Sequence, residues 1–253
     1  MKHVAIIIPT MDNHAYLDGC IESLLDNTEG VTYHIYVINN GAVGSCDWID
    51  HSPVDVLQAG GNIGWERALE LGINHTREPL ILMLNDDVFF PHTGKHWLAR
   101  LVADLDDPRV AAAGPSSNTV AGPQSSAWPL PAPRYAARYL IGFCMLVRRS
   151  ALNEVGGIDT TLPGGDDIDL SIRLRGAGYT LVCDRTSFVY HYGFKTGIRV
   201  HGDHTQPGGW NSQEMIGATA NALIAKHGAA AFSDTWRNDP LGEYHAPVPV
   251  GNG

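Results

Sequence analysis

The sequence predicts an α/β fold of one domain, a Rossmann-like, mostly parallel central sheet flanked by helices, and three observations carry that expectation. Short continuous apolar runs, residues 4–8 and 80–84 above all, alternate with amphipathic stretches of helical period. Several runs end abruptly in polar residues, as in Pro9-Thr10, Asn39-Asn40-Gly41 and Asn85-Asp86-Asp87. Polar groups at strand C-termini are where open α/β sheets bind ligands. With 253 residues, 44% apolar and 17% charged, the chain can bury a full core without needing a second one.

Residues 4–8 are apolar throughout, rich in β-branched side chains and closed by Pro9, the pattern of a strand buried on both faces. Asp12 or Asn13 is placed to cap a helix in which Tyr16, Leu17, Cys20, Ile21, Leu24 and Leu25 recur at spacings of three and four. Residues 35–38 and 54–57 supply two further strands. After the turn Gly60-Gly61-Asn62-Ile63-Gly64, Ala68, Leu69, Leu71 and Ile73 mark a helix over 65–74. The run 80–84 is the most hydrophobic segment and is expected at the sheet's centre. Trp97, Leu98, Leu101, Val102 and Leu105 mark a helix that ends at Asp107-Pro108, and 110–113 reads as a strand. Residues 114–138, rich in Ser, Pro and Gly with Trp128 and Tyr135 interspersed, read as a long loop. A strand over 141–147, a helix over 166–177, a strand over 180–183 and a last helix over 210–227 follow, and the chain from Pro240 onward is expected to be loose.

A formal charge of −10 makes the average surface repel polyanions, and no basic run offsets it. General binding of nucleic acid or of an anionic membrane is therefore disfavoured. Cys20, Cys46, Cys144 and Cys183 are scattered without a CxxC pair, so reduced thiols and no structural zinc are expected. The apolar run at the N-terminus is too short for a signal peptide or a membrane span, which makes a cytoplasmic enzyme the expectation.

Part of the acidic excess is concentrated in Asp86-Asp87 and in Asp166-Asp167-Ile168-Asp169. Two adjacent carboxylates leaving a hydrophobic strand suit a hard divalent cation that bridges to phosphate. An acidic turn would look the same. The second cluster opens a helix, where the positive end of the dipole favours anions. Asp169 and Arg173 stand at i and i+4 and can pair on one helix face. Asp166 and Asp167 are then left to point elsewhere, and a carboxylate at the mouth of a site can accept the proton of an attacking hydroxyl. Capping accounts for one of these aspartates and not for three. His191, flanked by Tyr190, Tyr192 and Gly193, is by itself either structural or a ligand.

Taken in order, the strand ending in Pro9-Thr10, then Val37-Ile38-Asn39-Asn40-Gly41, Asn62-Ile63-Gly64 and Leu84-Asn85-Asp86-Asp87-Val88 resemble the nucleotide-binding half of family 2 glycosyltransferases of GT-A fold. Gly156-Gly157-Ile158-Asp159, Asp166-Asp167-Ile168-Asp169-Leu170, Arg173 and Gly176-Ala177-Gly178-Tyr179 are similar to the family's acceptor-side segment, and His191-Tyr192-Gly193 to its C-terminal histidine motif. The likeness spans residues 2–196. It implies a nucleotide-sugar-binding half over 1–113, an acceptor-side half over 114–200, and a C-terminal lid, helix and loose tail over 201–253.

The resemblance also implies roles. Pro9, Thr10, Asn39 and Asn62 would line the base and ribose pocket, and Asn85 and Asp86 would lie near ribose and pyrophosphate. Asp87 and His191 would hold a divalent metal, Mn2+ or Mg2+. Asp167 would be the general base, with Asp166 as its neighbour and the alternative candidate. The implied reaction is a direct, inverting transfer of a sugar from a UDP- or dTDP-sugar to a hydroxyl of a carbohydrate-type acceptor, a saccharide or glycoconjugate precursor. Asn39, Asn85 and Asp166 stand where the family usually has Asp, Asp and Glu. Residues 114–128 read equally as a contact to donor sugar or acceptor and as a mobile linker, and 192–210, with Lys195, Arg199, His201 and His204, are placed to close as a lid. The competing readings are a nucleotidyltransferase, whose usual Gly-rich basic loop is missing from Met11-Asp12-Asn13, and a nucleotide-sugar-binding or carbohydrate-binding protein without turnover.

Overall fold

In a computed structural model that describes residues 3–50, 52–120, 122–127, 133–193, 195–202, 205, 209 and 212–236, the first apolar run forms β1 (His3–Thr10), with seven of its eight residues buried. Strand β1 lies between β2 (Thr32–Asn39) and β4 (Leu80–Leu84), parallel to both, and β3 (Val54–Gln58) extends the parallel set beyond β2. The sheet continues from β4 through β8 (Cys144–Arg148), β6 (Val110–Ser116), β9 (Thr180–Phe188) and β7 (Arg134–Ala137). Strand β8 runs antiparallel to β4 and β6, and β7 antiparallel to β9, while β6 and β9 are parallel to each other. A mostly parallel eight-stranded sheet results.

Helices α1 (His14–Asp26), α2 (Trp65–His75), α3 (Trp97–Asp104), α4 (Arg149–Glu154) and α5 (Asp166–Gly176) cover the sheet. The period of two along β1 divides the core. Val4, Ile6 and Ile8 join a cluster with Leu17 and Ile21 of α1 and Leu98 and Leu101 of α3. Ile7 joins Ala68 and Leu69 of α2 and Leu170 and Leu174 of α5 in a second cluster. A run apolar at every position is the signature of a strand covered on both sides, and this sheet supplies both covers. Helix α2 sits so close to the sheet that a Cβ at Gly72 would meet Ile7 at 2.6 Å and Ile38 at 3.0 Å.

Several expectations need correction. Neither Asp12 nor Asn13 caps α1 with its side chain; Asp12, at φ 48°, instead accepts the Ala42 amide at 2.9 Å. The stretch 114–138 is not one loop. Strand β6 runs on to Ser116, a 3₁₀ turn covers Gly122–Gln124, and β7 occupies Arg134–Ala137. Pairing with β9 overrides the weak strand propensity of Gly-Pro-Ser. Trp128 lies outside the described residues, as do Trp210 and everything from Pro240 on.

The strand expected over 141–147 starts only at Cys144, and the one expected over 180–183 extends to Phe188. Helix α4 and the two-residue strands β5 (Val88–Phe89) and β10 (Tyr190–His191) carry no periodicity long enough to read from sequence. After α6 (Lys195–His201), the last expected helix begins later, as α7 (Gln213–His227), capped by the Ser212 hydroxyl, and α8 (Ala229–Trp236) follows it. All four cysteines are buried and free. Among the described residues no helix is long and apolar enough to cross a membrane.

One buried charge gives the fold a pH dependence. Asp104, 3% exposed at the end of α3, pairs with Arg134 of β7, and its Oδ2 has no hydrogen-bond partner among the described residues. Burial first, then the neighbouring charge of Asp184, pushes its carboxyl up to about 7 against the pull of Arg134. The folded chain therefore keeps a proton that the unfolded chain releases from about pH 4 upward. Asp104's contribution to stability is fully present below that range and is lost as pH rises towards 7. Thermal melts across this window should show that Asp104→Asn flattens the pH dependence relative to the parent; an unchanged slope would contradict the assignment.

Candidate active site

The chain leaves β1 through α1 to β2 on one side and returns through α2 to β4 on the other, so a crevice opens above the C-terminal ends of β1 and β4. Thr10 ends β1, and Asn85-Asp86-Asp87 follow β4. The Thr10 hydroxyl donates to Asp86 Oδ2 at 2.7 Å, tying the two strand ends together in a buried contact. Asn85 is held by its backbone: its amide donates to the Phe143 carbonyl at 2.9 Å, and its carbonyl faces Cys20 Sγ.

The loop beyond β2 forms one rim. Asn39 is fully buried and uses its whole capacity internally. Its amide nitrogen donates to the Ala42 carbonyl and to Gln58 Oε1, both at 2.9 Å, and its oxygen accepts from the Gly41 amide and the Ser45 hydroxyl. An asparagine has two donors and two lone pairs to offer, so no polar atom of Asn39 is left to read a base; it shapes the rim. Asn40, singled out for no role from sequence, latches the neighbouring loop by accepting the Ile63 amide at 2.8 Å and donating to Asn62 and to the Gly64 carbonyl. Asn62 itself is exposed on that loop. Pro9 is buried, paired with Ile38 across the sheet.

The decisive juxtaposition comes from the two shortest strands. Antiparallel pairing of β5 with β10 sets His191 opposite Val88, and the Tyr192 amide donates to the Asp87 carbonyl at 2.9 Å. His191 Nε2 consequently lies 3.1 Å from Asp87 Oδ1, with both side chains buried. The ring's orientation is over-determined. Asn118 accepts the His191 amide at 2.8 Å and donates to its carbonyl at 3.1 Å, and Phe143 stacks on the imidazole at 5.1 Å. Nδ1 lies 2.9 Å from the Thr119 carbonyl, which can only accept, so Nδ1 carries the hydrogen. In the neutral ring Nε2 is then a lone pair. It lies 3.3 Å from the Asn85 amide nitrogen and faces the Asp87 carboxylate, two donor atoms turned towards one point.

A divalent cation fits this pair. Small octahedral cations hold their ligands at about 2.1 Å, which places neighbouring ligands about 3 Å apart, close to the observed 3.1 Å. The Nδ1 contact to Thr119 is the kind of outer bond that fixes a ligating imidazole. Among the described residues no group of three or more His, Cys, Asp or Glu is gathered for a metal. The two donors would thus leave most of the coordination sphere to other oxygens.

Asp166 and Asp167 form a second wall. Both lie half-buried in the first turn of α5. Asp167 accepts the Gly142 amide at 3.0 Å through Oδ2 and the Ile168 amide at 2.7 Å through Oδ1. Gly142 precedes Phe143, whose ring rests on His191 and whose carbonyl holds Asn85, so Ile141-Gly142-Phe143 joins the two acidic clusters. Burial, then the charges of Asp167 and of Glu66, pushes Asp166 well above the ordinary range. Burial also raises Asp167, but amide donors from Gly142 and Ile168 favour its charged form. Backbone amides of residues 166 and 167 likewise favour the charged form of Asp166, so burial, the leading cause for both, lifts the two carboxyls together.

Of the expected lid, Lys195 and Arg199 lie on α6, where the Lys195 amide is 3.4 Å from Asp87 Oδ2 and Arg199 reaches the Asp12 carbonyl. His201 ends that helix, and His204 lies outside the described residues. Asn118, Thr119, Gly142 and Phe143 were not singled out from sequence. An Asn in an irregular Ser- and Pro-rich stretch is the one signal the sequence offers, and the structure shows that residue bracing His191.

Residues 5–156, more than half of the chain, match the sequence profile of Glycosyl transferase family 2. The chain belongs to glycosyl transferase family 2. This family 2 chain is 27% identical over 247 residues to the pre-mycofactocin glycosyltransferase of Mycobacterium tuberculosis, an alignment that covers 89% of the chain and 48% of that relative. It thus spans about half of the relative's length. Its fold is similar to that of the mannosyltransferase PcManGT from Pyrobaculum calidifontis, solved in complex with GDP-Man and Mn2+, with TM-score 0.62, 16% identity, and coverage of 92% of this chain and 72% of that one. It is also similar to residues 1–349 of S. aureus TarS in complex with UDP-GlcNAc, with TM-score 0.65, 12% identity, and coverage of 93% and 71%. The fold of this family 2 chain is GT-A, as its motifs implied.

The saturated bonds of Asn39 make a prediction at the position where the family usually carries Asp. In Asn39→Asp the carboxylate would face the Ala42 carbonyl, an acceptor that cannot turn away. Urea unfolding at neutral pH should show a loss of about 1–3 kcal/mol, shrinking as the pH falls and the new carboxyl protonates. A variant as stable as the parent at neutral pH would show that the loop re-forms around a charge.

Proposed function

We propose that the protein transfers a sugar from a nucleotide diphosphate to an acceptor hydroxyl by direct displacement, with inversion at the anomeric carbon. The observation that carries this reading is the 3.1 Å approach of His191 Nε2 to Asp87 Oδ1 at the switch point of the sheet, with Asp167 joined to the same site through Gly142 and Phe143. Family membership supports it, as do relatives solved with GDP-Man and Mn2+ and with UDP-GlcNAc.

In this reading Pro9, Thr10 and Asn62 line the base and ribose pocket, Asn39 shapes its rim, and Asn85 and Asp86 lie beside ribose and pyrophosphate. Asp87 and His191 would hold Mn2+ or Mg2+. That cation, when bound, neutralises the charge that develops on the departing diphosphate. Asp86 is kept in place by Thr10, so the acidic floor does not collapse onto the neighbouring ligand. Asp167, aimed by the Gly142 and Ile168 amides, accepts the proton of the acceptor hydroxyl, with Asp166 beside it as the alternative acceptor. With separate groups for leaving and entering atoms, no covalent sugar–protein intermediate is required.

Residues 1–113 would then serve the donor, 114–200 the acceptor, and 201–253 a lid, a helix and a tail. A UDP- or dTDP-sugar donor follows from the family likeness, with a saccharide or glycoconjugate precursor as acceptor. Four buried free thiols fit a reducing, cytoplasmic setting.

The test begins with a panel of UDP-, dTDP- and GDP-sugars, measuring thermal stabilisation and slow donor hydrolysis with and without Mn2+. With the best donor, Asp87→Ala should abolish the Mn2+-dependent stabilisation. Asp167→Asn should keep it while turnover falls by about 10²–10⁴. If both variants matched the parent, the assignment would be wrong.

A further inference from the structure

Asp169, two residues beyond the proposed base, is a completely buried carboxylate. Arg173, one turn along α5, pairs with its Oδ2 at 2.6 Å. Its Oδ1 is met by the last two residues of α7: Lys226 Nζ at 2.6 Å and His227 Nε2 at 2.7 Å. The same Lys226 ammonium reaches Asp159 Oδ2 at 2.5 Å, in the loop that precedes α5, and Arg173 also donates to the Val155 carbonyl at 2.7 Å. One buried anion therefore joins the loop, the helix that carries Asp166 and Asp167, and a helix almost sixty residues further on. Burial alone would push the Asp169 carboxyl up; the bonds from Lys226, Arg173 and His227 outweigh it and hold the group ionised.

The apolar side of α7 acts on the same turn. Gly164 and Gly165, at φ 150° and 72°, make the bend that starts α5. A Cβ at Gly164 would lie 3.2 Å from Thr219 Oγ1, and one at Gly165 would lie 2.9 Å from Thr219 and 3.0 Å from Leu223, both residues of α7. Helix α8 adds Asp234, which pairs with Arg175 at the far end of α5 and with Arg138. Thus α7 covers the bend, fills its left-handed corner and pins the first turn from which Asp166 and Asp167 emerge.

We propose that Lys226 and His227 are positioning residues for transfer: by clamping Asp169 from α7 they fix the first turn of α5, and so the direction in which the Asp167 carboxylate faces the cleft. The proposal rests on Asp167 as the base. Neither residue touches the reacting atoms. A reacting group displaced by about 1 Å can lose on the order of a hundredfold in rate, whereas the donor pocket, built from β1, β2 and β4, does not depend on α7.

Donor hydrolysis by the full chain, with amide hydrogen exchange on the same samples, tests this. Lys226→Met and His227→Ala should each lower kcat about ten- to hundredfold, leave the donor KM within about twofold, and speed exchange at the amides of 166–170 while those of 85–89 keep the parent's protection. Lys226→Arg and His227→Gln, which preserve a donor to Asp169, should recover most of the rate. Faster exchange at 166–170 with an undiminished kcat would overturn the proposal, as would a parallel loss of kcat, donor affinity and 85–89 protection. Asp167→Asn separates the two ideas. If that variant turns over like the parent, the base assignment fails; if it is inactive while Lys226→Met and His227→Ala keep the parent's kcat, only the positioning role fails.

Discussion

Asp87 and His191 stand more than a hundred positions apart in the chain, and what brings them to 3.1 Å is a pairing only two residues long on each side, Val88-Phe89 against Tyr190-His191. The register of that ribbon is everything: a slip by one residue would turn His191 outward and bring Tyr190 or Tyr192 in. So short a ribbon cannot hold its own register, and the surroundings supply what it lacks. Asn118 clasps the backbone of His191 from both sides, Thr119 fixes the ring's tautomer, and Phe143 closes its open face. Asn118 and Thr119 follow β6, Phe143 precedes β8 and Asp87 follows β4. Those three strands are neighbours in the sheet, so the central sheet works as the jig for this one contact.

The opposite wall follows similar logic with different materials. Asp167 is aimed by two backbone amides, and the turn that carries it is held by buried charge rather than by a ribbon. Both walls meet at Ile141-Gly142-Phe143, three residues that link Asp167, Asn85 and His191 without contributing a polar side chain. Asp167 lies against Gly142, whose amide it accepts at 3.0 Å, so the segment acts here through its backbone.

Much of the frame was legible in the sequence. Runs such as Ile6-Ile7-Ile8 and Leu80–Leu84 announce doubly covered strands, and the spacing of Ala68, Leu69 and Ile73 announces α2. The order of the acidic and asparagine-bearing segments pointed to the family. What stayed hidden has physical reasons. Strands of two residues have no period to detect, and Gly-Pro-Ser at the end of β6 is strand only because β9 lies beside it. Asn39 shows the limit on single residues. Its place at a strand end marks a pocket, but only the folded loop reveals that Gly41, Ala42, Ser45 and Gln58 consume every hydrogen bond it can make. The contact of Lys226 and His227 with Asp169 was equally out of reach, since the i, i+4 spacing of Asp169 and Arg173 already gave the carboxylate a sufficient partner.

The central claim is that the imidazole of His191 and the carboxylate of Asp87 meet around one cation that also holds a diphosphate. Electron spin-echo spectroscopy of the protein with Mn2+ and whichever of UDP, dTDP or GDP stabilises it most addresses that contact directly. The expected result is nitrogen modulation from a single directly coordinated imidazole, lost in His191→Gln while the nucleotide's phosphorus coupling persists. A Mn2+–diphosphate complex bound to the parent protein without any imidazole nitrogen would contradict the account.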